Sequence, residues 1–349
     1  MRLCPKSAFA GKVDHPAPHA AGTLARCYAR RTMRASSPGN PLSSFFGWFN
    51  AQAYLLLVFT TLTWGANAVA ARLAVGEVSP MMLTFSRWIV CCAALALFSR
   101  REIAAHWRAV LPAWRFFALM GTLGFTGFNA LFYAAAHHTT AINMAIIQGT
   151  IPALVLLGGL VFFRTRISRL QVLGVLLTMA GIAVVASRGE LSVLASLRLN
   201  IGDVWILIAC LLYTFYTLGL RRRPAVPAIV FFAATAAVAC IASVPLLAVE
   251  VVRGDFVAPT AKGLALIAFI GLLPSFVSQL SFIQAISLIG PTRAGVFLNL
   301  VPIFGPLLAV LVLGEQLSLY HAAALALVLG GIYIADVLGN RKALKNLIP

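Results

Sequence analysis

Acidic residues are scarce in this chain: 9 Asp and Glu stand against 27 Lys and Arg in 349 residues, and charged residues together make up only 10%. An ordinary soluble domain carries about 25% charged residues, so a conventional water-facing surface is excluded. The acids also keep to particular places. Glu77, Glu102, Asp203, Glu250, Asp255, Glu315 and Asp336 all fall at the ends of apolar runs or between them, never near the middle of one. A pump for organic cations needs a buried carboxylate as counter-charge in a low dielectric, and none is supplied. Cysteine is as uninformative as acid is rare. Cys91, Cys92, Cys210 and Cys240 lie inside apolar runs and Cys4 and Cys27 in the leading tail, without a disulfide framework or a zinc spacing. Soluble-enzyme motifs are missing too. Gly121, Gly124 and Gly127 recur every three residues inside an apolar run, which suits close helix packing and not a phosphate loop. The longest internal connections, near 99–115 and 188–201, are too short for a catalytic domain, and no cofactor or metal site follows from the sequence.

Apolar residues are abundant instead, at 61% of the chain, with a mean hydropathy of +0.93. Crossing a hydrocarbon layer of roughly 30 Å takes about 20 apolar residues in a helix. Ten runs of about that length are legible: 53–74, 80–98, 116–137, 140–163, 170–187, 202–220, 225–249, 263–289, 291–313 and 320–337. They show no alternation of polar and apolar positions, as barrel strands of about 10 residues would. The expected fold class is an all-α membrane protein with ten transmembrane helices, whose first partner is the lipid bilayer.

The net charge of +18 invites a nucleic-acid reading, but its distribution argues against one. Of the 27 basic residues, 21 lie before the first run, in every second connection, or after the last. Those connections hold Arg100, Arg101, Arg108 and Arg115; Arg164, Arg166 and Arg169; Arg221, Arg222 and Arg223; and Arg293; the end of the chain adds Arg341, Lys342 and Lys345. All share one side of a ten-span chain, and the positive-inside rule makes that side, and both termini, cytoplasmic. A multi-pass protein of the bacterial inner membrane is expected, with no nucleic-acid partner. Residues 1–52 are Arg-rich, nearly acid-free and without an apolar core. They are read as a disordered cytoplasmic tail, with Met33 as an alternative start, or as a transit-type targeting segment.

The stretch from Gly121 to Val185 recurs when the numbering is shifted by 150. Gly121 falls on Gly271, Phe132 on Phe282, Pro152 on Pro302, Ser168 on Ser318, and Gly181 and Ile182 on Gly331 and Ile332. A shift of 149 sets Trp64 on Tyr213, Asn67 on Tyr216 and Arg72 on Arg221. Five spans is an odd number, so the second copy enters the bilayer from the opposite side. The fold expected is two inverted five-helix repeats, 53–187 and 202–337, followed by a cytoplasmic tail 338–349. Such duplication points first to a transporter.

Polar side chains inside a span cost free energy, roughly 2.5 to 3.5 kcal/mol for a charge at a helix centre, so each embedded one needs a reason. In the third span Thr122, Thr126, Asn129, Tyr133 and His137 recur every three or four residues and so share one face. The 150 shift places Asn129 on Gln279, which shares a face with Ser275, Phe282 and Ile286, so two carboxamides would face each other across a central pathway. Trp64, Asn67, Gln148, Tyr213, Tyr216 and Asn299 complete the candidates. Gln148 precedes Pro152 by four residues and Asn299 precedes Pro302 by three, where proline frees a carbonyl one turn earlier. Each of these either lines a cavity or packs against a neighbouring helix. Arg87, about seven residues into the second span, either snorkels to the interface or turns inward, where its planar donor fork suits a carboxylate or phosphate. Arg72, near a span end, is expected to snorkel.

The run WGANAVAAR at 64–72, Arg87, the run FNALFYAA at 128–135, the proline-centred spans around Pro152 and Pro302, and the run GEQLS at 314–318 resemble the EamA type of the drug/metabolite transporter superfamily. The resemblance covers nearly everything after residue 52. It implies a ten-helix secondary transporter, not an enzyme, that exports a small metabolite such as an amino acid by alternating access, as a monomer or homodimer. One departure is visible: the family often carries a Glu after the fourth span as well as the ninth, and here Arg164, Thr165 and Arg166 stand there, leaving only Glu315. A membrane-embedded enzyme acting on lipid, or a non-transporting receptor or assembly subunit, are the competing classes. An enzyme would gather acids, His or basic residues at one membrane face, and this chain does not.

Overall fold

The computed structural model describes residues 50–164, 168–190, 200–290, 294–295 and 297–338. The leading tail with Met33, the residues after 338, and Arg166 and Arg293 lie outside the described residues. Eight helices are long and apolar enough to cross a membrane: α1 (Ala53–Leu73), α2 (Pro80–Phe98), α3 (Leu111–Ala135), α4 (Ala141–Phe163), α5 (Arg169–Ala186), α6 (Ile201–Arg222), α7 (Ala228–Val252) and α8 (Ala261–Ile289). Two shorter apolar helices follow, α9 (Leu298–Leu313) and α10 (Leu319–Ala335). Each overlaps one of the ten expected runs, and no strand occurs among the described residues. The third helix starts five residues earlier than its apolar run because Pro112 opens a tight turn, Leu111–Ala113, that leads directly into it.

Local signals set the boundaries and repeat in both halves. Ser168 opens α5 in a capping box with Gln171, the Ser168 N–H donating to Gln171 Oε1 at 2.8 Å and the Gln171 N–H to Ser168 Oγ at 3.2 Å. At the matching place before α10 the Ser318 N–H donates to His321 Nδ1 at 3.0 Å. The helices that precede these caps end alike, on the left-handed residues Arg164 (φ 51°) and Gly314 (φ 67°). Glycine adopts that conformation freely, whereas Arg164 bears about 1 kcal/mol of strain.

Which helices touch shows the two-fold relation of the halves. Exchanging α1–α5 with α6–α10 reproduces most of the cross-half pattern: α1 packs on α8 and α9 as α6 packs on α3 and α4, and α2 packs on α8 as α7 packs on α3, while α4 packs on α10 in addition. The pairs α2 with α7, α4 with α9, and α5 with α10 map onto themselves. The chain is therefore two interlocked five-helix repeats, inverted because each has an odd number of spans.

Both α3 and α8 carry a wide-turned π segment at the same repeat position, Gly121–Gly127 and Gly271–Val277, where one extra residue enters the helix. A Cβ on Gly121 would lie 2.7 Å from Val238 Cβ, and one on Gly271 would lie 2.6 Å from Val90 Cβ, so glycine permits both approaches. Val90 and Val238 are 148 apart. That offset aligns α2 with α7, and it sets Arg87 opposite Thr235.

Candidate functional site

α1, α2, α3, α4, α6, α7, α8 and α9 enclose one cavity of about 150 Å³ at the seam between the halves. An engineered cavity of similar volume holds a benzene molecule, which sets the scale of a solute. Trp64, Trp88, Phe125, Phe128, Tyr213 and Phe232 supply aromatic walls, and Asn67, Asn129, Gln148, Gln279 and Asn299 supply carboxamides. Pro152, Pro274 and Pro302 also line it, where helix hydrogen bonding is interrupted.

Among the described residues Arg87 is the only charged side chain in the lining, and it does not snorkel. It is 5% exposed. Its Nε and Nη2 both donate to Ser275 Oγ, at 3.0 and 2.7 Å, and its Nη1 donates to Asn129 Oδ1 and to the Tyr133 hydroxyl. The Tyr133 hydroxyl in turn donates to Asn67 Oδ1 at 3.0 Å, so one network joins α1, α2, α3 and α8. The guanidinium also sits 5.0 Å from the Trp88 ring centre, and Trp88 stacks on Phe125 at 4.8 Å with the planes 1° apart. The π turn of α8 makes the Ser275 contact. Pro274 has no N–H to donate, and Ser275 Oγ donates to Ile270 O, five residues back, at 2.6 Å, which aims its lone pairs at Arg87.

Eight of the ten residues singled out in the sequence line this cavity: Trp64, Asn67, Arg87, Asn129, Gln148, Tyr213, Gln279 and Asn299. Tyr133 stands one hydrogen bond behind Arg87. Tyr216 lies outside the lining, packed against Gly124 and Phe125. The expected polar face of the third span breaks at its π segment, since an inserted residue shifts the register. Thr122 is exposed, Thr126 turns to donate to Ala239 O of α7 at 3.0 Å, and His137 is exposed beyond the helix end. Arg72 donates to Ala136 O at the end of α3. Sequence reasoning missed Trp88 and Phe232; the first had a signal in its place beside Arg87, the second had none.

Carboxylates close one end of the bundle by capping helices. Glu250, at the end of α7, accepts from the N–H groups of Met81 (3.0 Å) and Met82 (3.2 Å) and from Ser79 Oγ (2.6 Å) at the start of α2. Glu315, between α9 and α10, accepts from the Ala141 and Ile142 N–H groups at 2.9 and 3.0 Å at the start of α4. Negative charge at a helix N-terminus is favourable. Asp203 accepts from Thr139 Oγ1 and from Asn143 Nδ2 (3.3 Å), and Asn143 Oδ1 meets His321 Nε2 at 3.2 Å, tying α6, α4 and α10 together. Glu77, held below the usual carboxylate range by hydrogen bonds from the Thr260 hydroxyl and from Lys262, joins the connections before α2 and α8. Residues 141–147 at this acidic end are buried throughout, while Gly295 and Phe297, the counterparts of Ala145 and Ile147, are half-buried.

Comparison with known proteins agrees with this architecture. The EamA-like transporter family matches residues 51–187 and again 200–335. An uncharacterized transporter of Bacillus subtilis (strain 168), YyaM, is 24% identical over 81% of this chain and 93% of its own. A probable terminal-alkyne amino-acid exporter of Streptantibioticus cattleyicolor is 28% identical over 84% of this chain and 95% of its own. A crystal structure 20% identical in sequence, covering 83% of this chain and 98% of the other, superposes with a TM-score of 0.57 and so shares the fold.

Proposed function

The chain belongs to the EamA-like transporter family, and from that premise we propose that it is a secondary transporter of the bacterial inner membrane that exports a small metabolite, such as an amino acid, by alternating access. The observation that carries this reading is the place of the cavity. It lies on the seam of two inverted halves and is lined by elements of both, where rocking one half against the other would expose it to each side in turn. The two ends differ in a way that supports such a cycle. Three carboxylates hold the acidic end together, Glu250 and Glu315 by capping helices and Asp203 by accepting from the Thr139 and Asn143 side chains. A shift of 150 puts Thr165 in place of Glu315 and Pro291, which has no N–H, in place of Ala141, so the Glu315 clamp cannot be repeated at the basic end. By the positive-inside rule the basic end and both termini are cytoplasmic. An amino acid as cargo is supported by the exporter among the relatives and by the cavity's size.

The test is efflux of radiolabelled amino acids from proteoliposomes loaded with a mixture of them. Faster release than from protein-free vesicles is expected for at least one. Release at the protein-free rate for all amino acids, with release of another metabolite class, would remove the cargo assignment. Release of nothing from a broad metabolite panel would remove transport itself.

A further inference from the structure

Among the described residues nothing of opposite charge reaches Arg87. Among the described residues the ion pair of Lys262 with Glu77 is the only one, and every acceptor around Arg87 is a neutral oxygen: Ser275 Oγ, Asn129 Oδ1 and the Tyr133 hydroxyl. A buried cation in low dielectric is expensive without a counter-charge. The neutral cage also leaves it incomplete. The guanidinium has five N–H donors, and four are engaged: Nε, both on Nη1 and one on Nη2. The second Nη2 hydrogen has no acceptor among the described residues. The indole Nε1 of Trp88, a residue 3% exposed that also contributes to the cavity lining, is the one buried side-chain polar atom among the described residues with no partner. A guanidinium hydrogen lacks an acceptor, and the charge that carries it lacks its complement. The charge also occurs once only. The two-fold relation sets Thr235 opposite Arg87, and that residue is neutral, fully buried outside the cavity lining, with its hydroxyl donating to Phe231 O and Phe232 O at 2.9 Å.

We propose that the cavity recognises an oxyanion, a carboxylate or phosphate group on a small solute, which pairs with Arg87 while the rest of the solute lies among the aromatic walls. This rests on the reading of the cavity as the solute site of a transporter. A neutral solute leaves the cation unpaired and an organic cation adds repulsion to it, so both are disfavoured. A zwitterion is admitted, because the carboxamide oxygens of Gln279 and Asn299, which have no partner among the described residues, can accept from an ammonium group. The single Arg87 sets the stoichiometry at one oxyanion per cavity.

The test uses the full chain, purified in detergent, with melting temperature as the binding readout against pools of amino acids, other carboxylates, phosphate monoesters, amino alcohols that match the amino acids but lack the carboxylate, and quaternary ammonium compounds. Stabilisation by one or more oxyanion pools and not by the amino alcohols or quaternary compounds is expected; whether the carboxylate or the phosphate pool responds identifies the source of the oxyanion. Arg87→Gln should weaken the responding pool about tenfold or more, the range for a hydrogen bond to a charged group, with Arg87→Lys in between. Equal stabilisation by amino alcohols and amino acids, stabilisation by the quaternary compounds, or no response to any oxyanion pool overturns the inference. Should Arg87→Gln fail to fold, the matched comparison of amino acids with amino alcohols on the unmodified protein still decides it. Binding of an oxyanion without its efflux from proteoliposomes would leave this inference standing and remove transport.

Discussion

Asn129 and Gln279 hold equivalent places in the two halves and line one cavity, yet their side chains are occupied differently. Asn129 accepts from Arg87 and donates to Phe125 O at 2.5 Å, whereas the Gln279 carboxamide has no protein partner among the described residues. The two therefore separate stability from solute binding. Gln279→Leu should leave the melting temperature close to that of the unmodified protein and raise the half-saturation concentration for transport several-fold, as loss of one hydrogen bond of about 1 kcal/mol implies. Asn129→Leu should raise it too and also destabilise the protein by about 1 to 3 kcal/mol, since a donor of buried Arg87 loses its acceptor. Unchanged transport in both variants would return these residues to a packing role. The lone Arg87 against Thr235 makes the same point: a duplicated scaffold became a site by diverging at single residues.

At the scale of elements, α4 and α9 are the pair to compare. Each is interrupted just before its proline, at Gly149–Thr150 and at Leu298–Leu300, and α4 has its N-terminus clamped by a carboxylate, Glu315, where the sequence position matching Glu315 in the first half is Thr165. Removing that charge should loosen the acidic end. A carboxylate at a helix N-terminus contributes about 1 kcal/mol, so Glu315→Gln should raise the population open at the acidic end roughly fivefold. Spin labels at His138 and Leu317, both exposed on the connections flanking the clamp, would report it as a new long-distance fraction. An unchanged distance distribution would show that the clamp is not what keeps this end shut. The π segments of α3 and α8 act at this scale as well, because the added residue brings Ser275 to Arg87 and turns Thr126 away to α7.

For the whole molecule, inversion of the halves has a direct consequence for which connections face which compartment. A reporter active only in the periplasm should work when fused after Gly254, at the acidic end, and fail after Arg222, at the basic end. The reverse result would overturn the orientation drawn from the basic residues. The helices present large apolar side chains outward, among them Leu97, Phe98, Ile241 and Leu311, each about 70% exposed. Lipid covers such a surface without cost, and the driving force for assembly falls instead to close packing and buried hydrogen bonds.

Ten helices, their duplication and the segregation of charge are properties of order along the chain, so the sequence by itself determined them: a span needs only a run of apolar residues, and a repeat only a constant offset. The gathering of eight marked polar or aromatic residues around one cavity was legible too, through helical periodicity and the 150 shift. What only the tertiary structure decided depends on side chains that meet across helices. Whether Arg87 snorkelled or turned inward hinged on acceptors some 40 and 190 positions away, Asn129 and Ser275, and the second of these reaches it only because Pro274 widens a turn. Tyr133 and Tyr216 carry the same ring and hydroxyl and both stand behind the cavity wall, one bonded to Arg87 and the other packed on Gly124. A linear pattern records periodicity and composition; it does not record register after an inserted residue, or which neighbour supplies a buried charge with its acceptors.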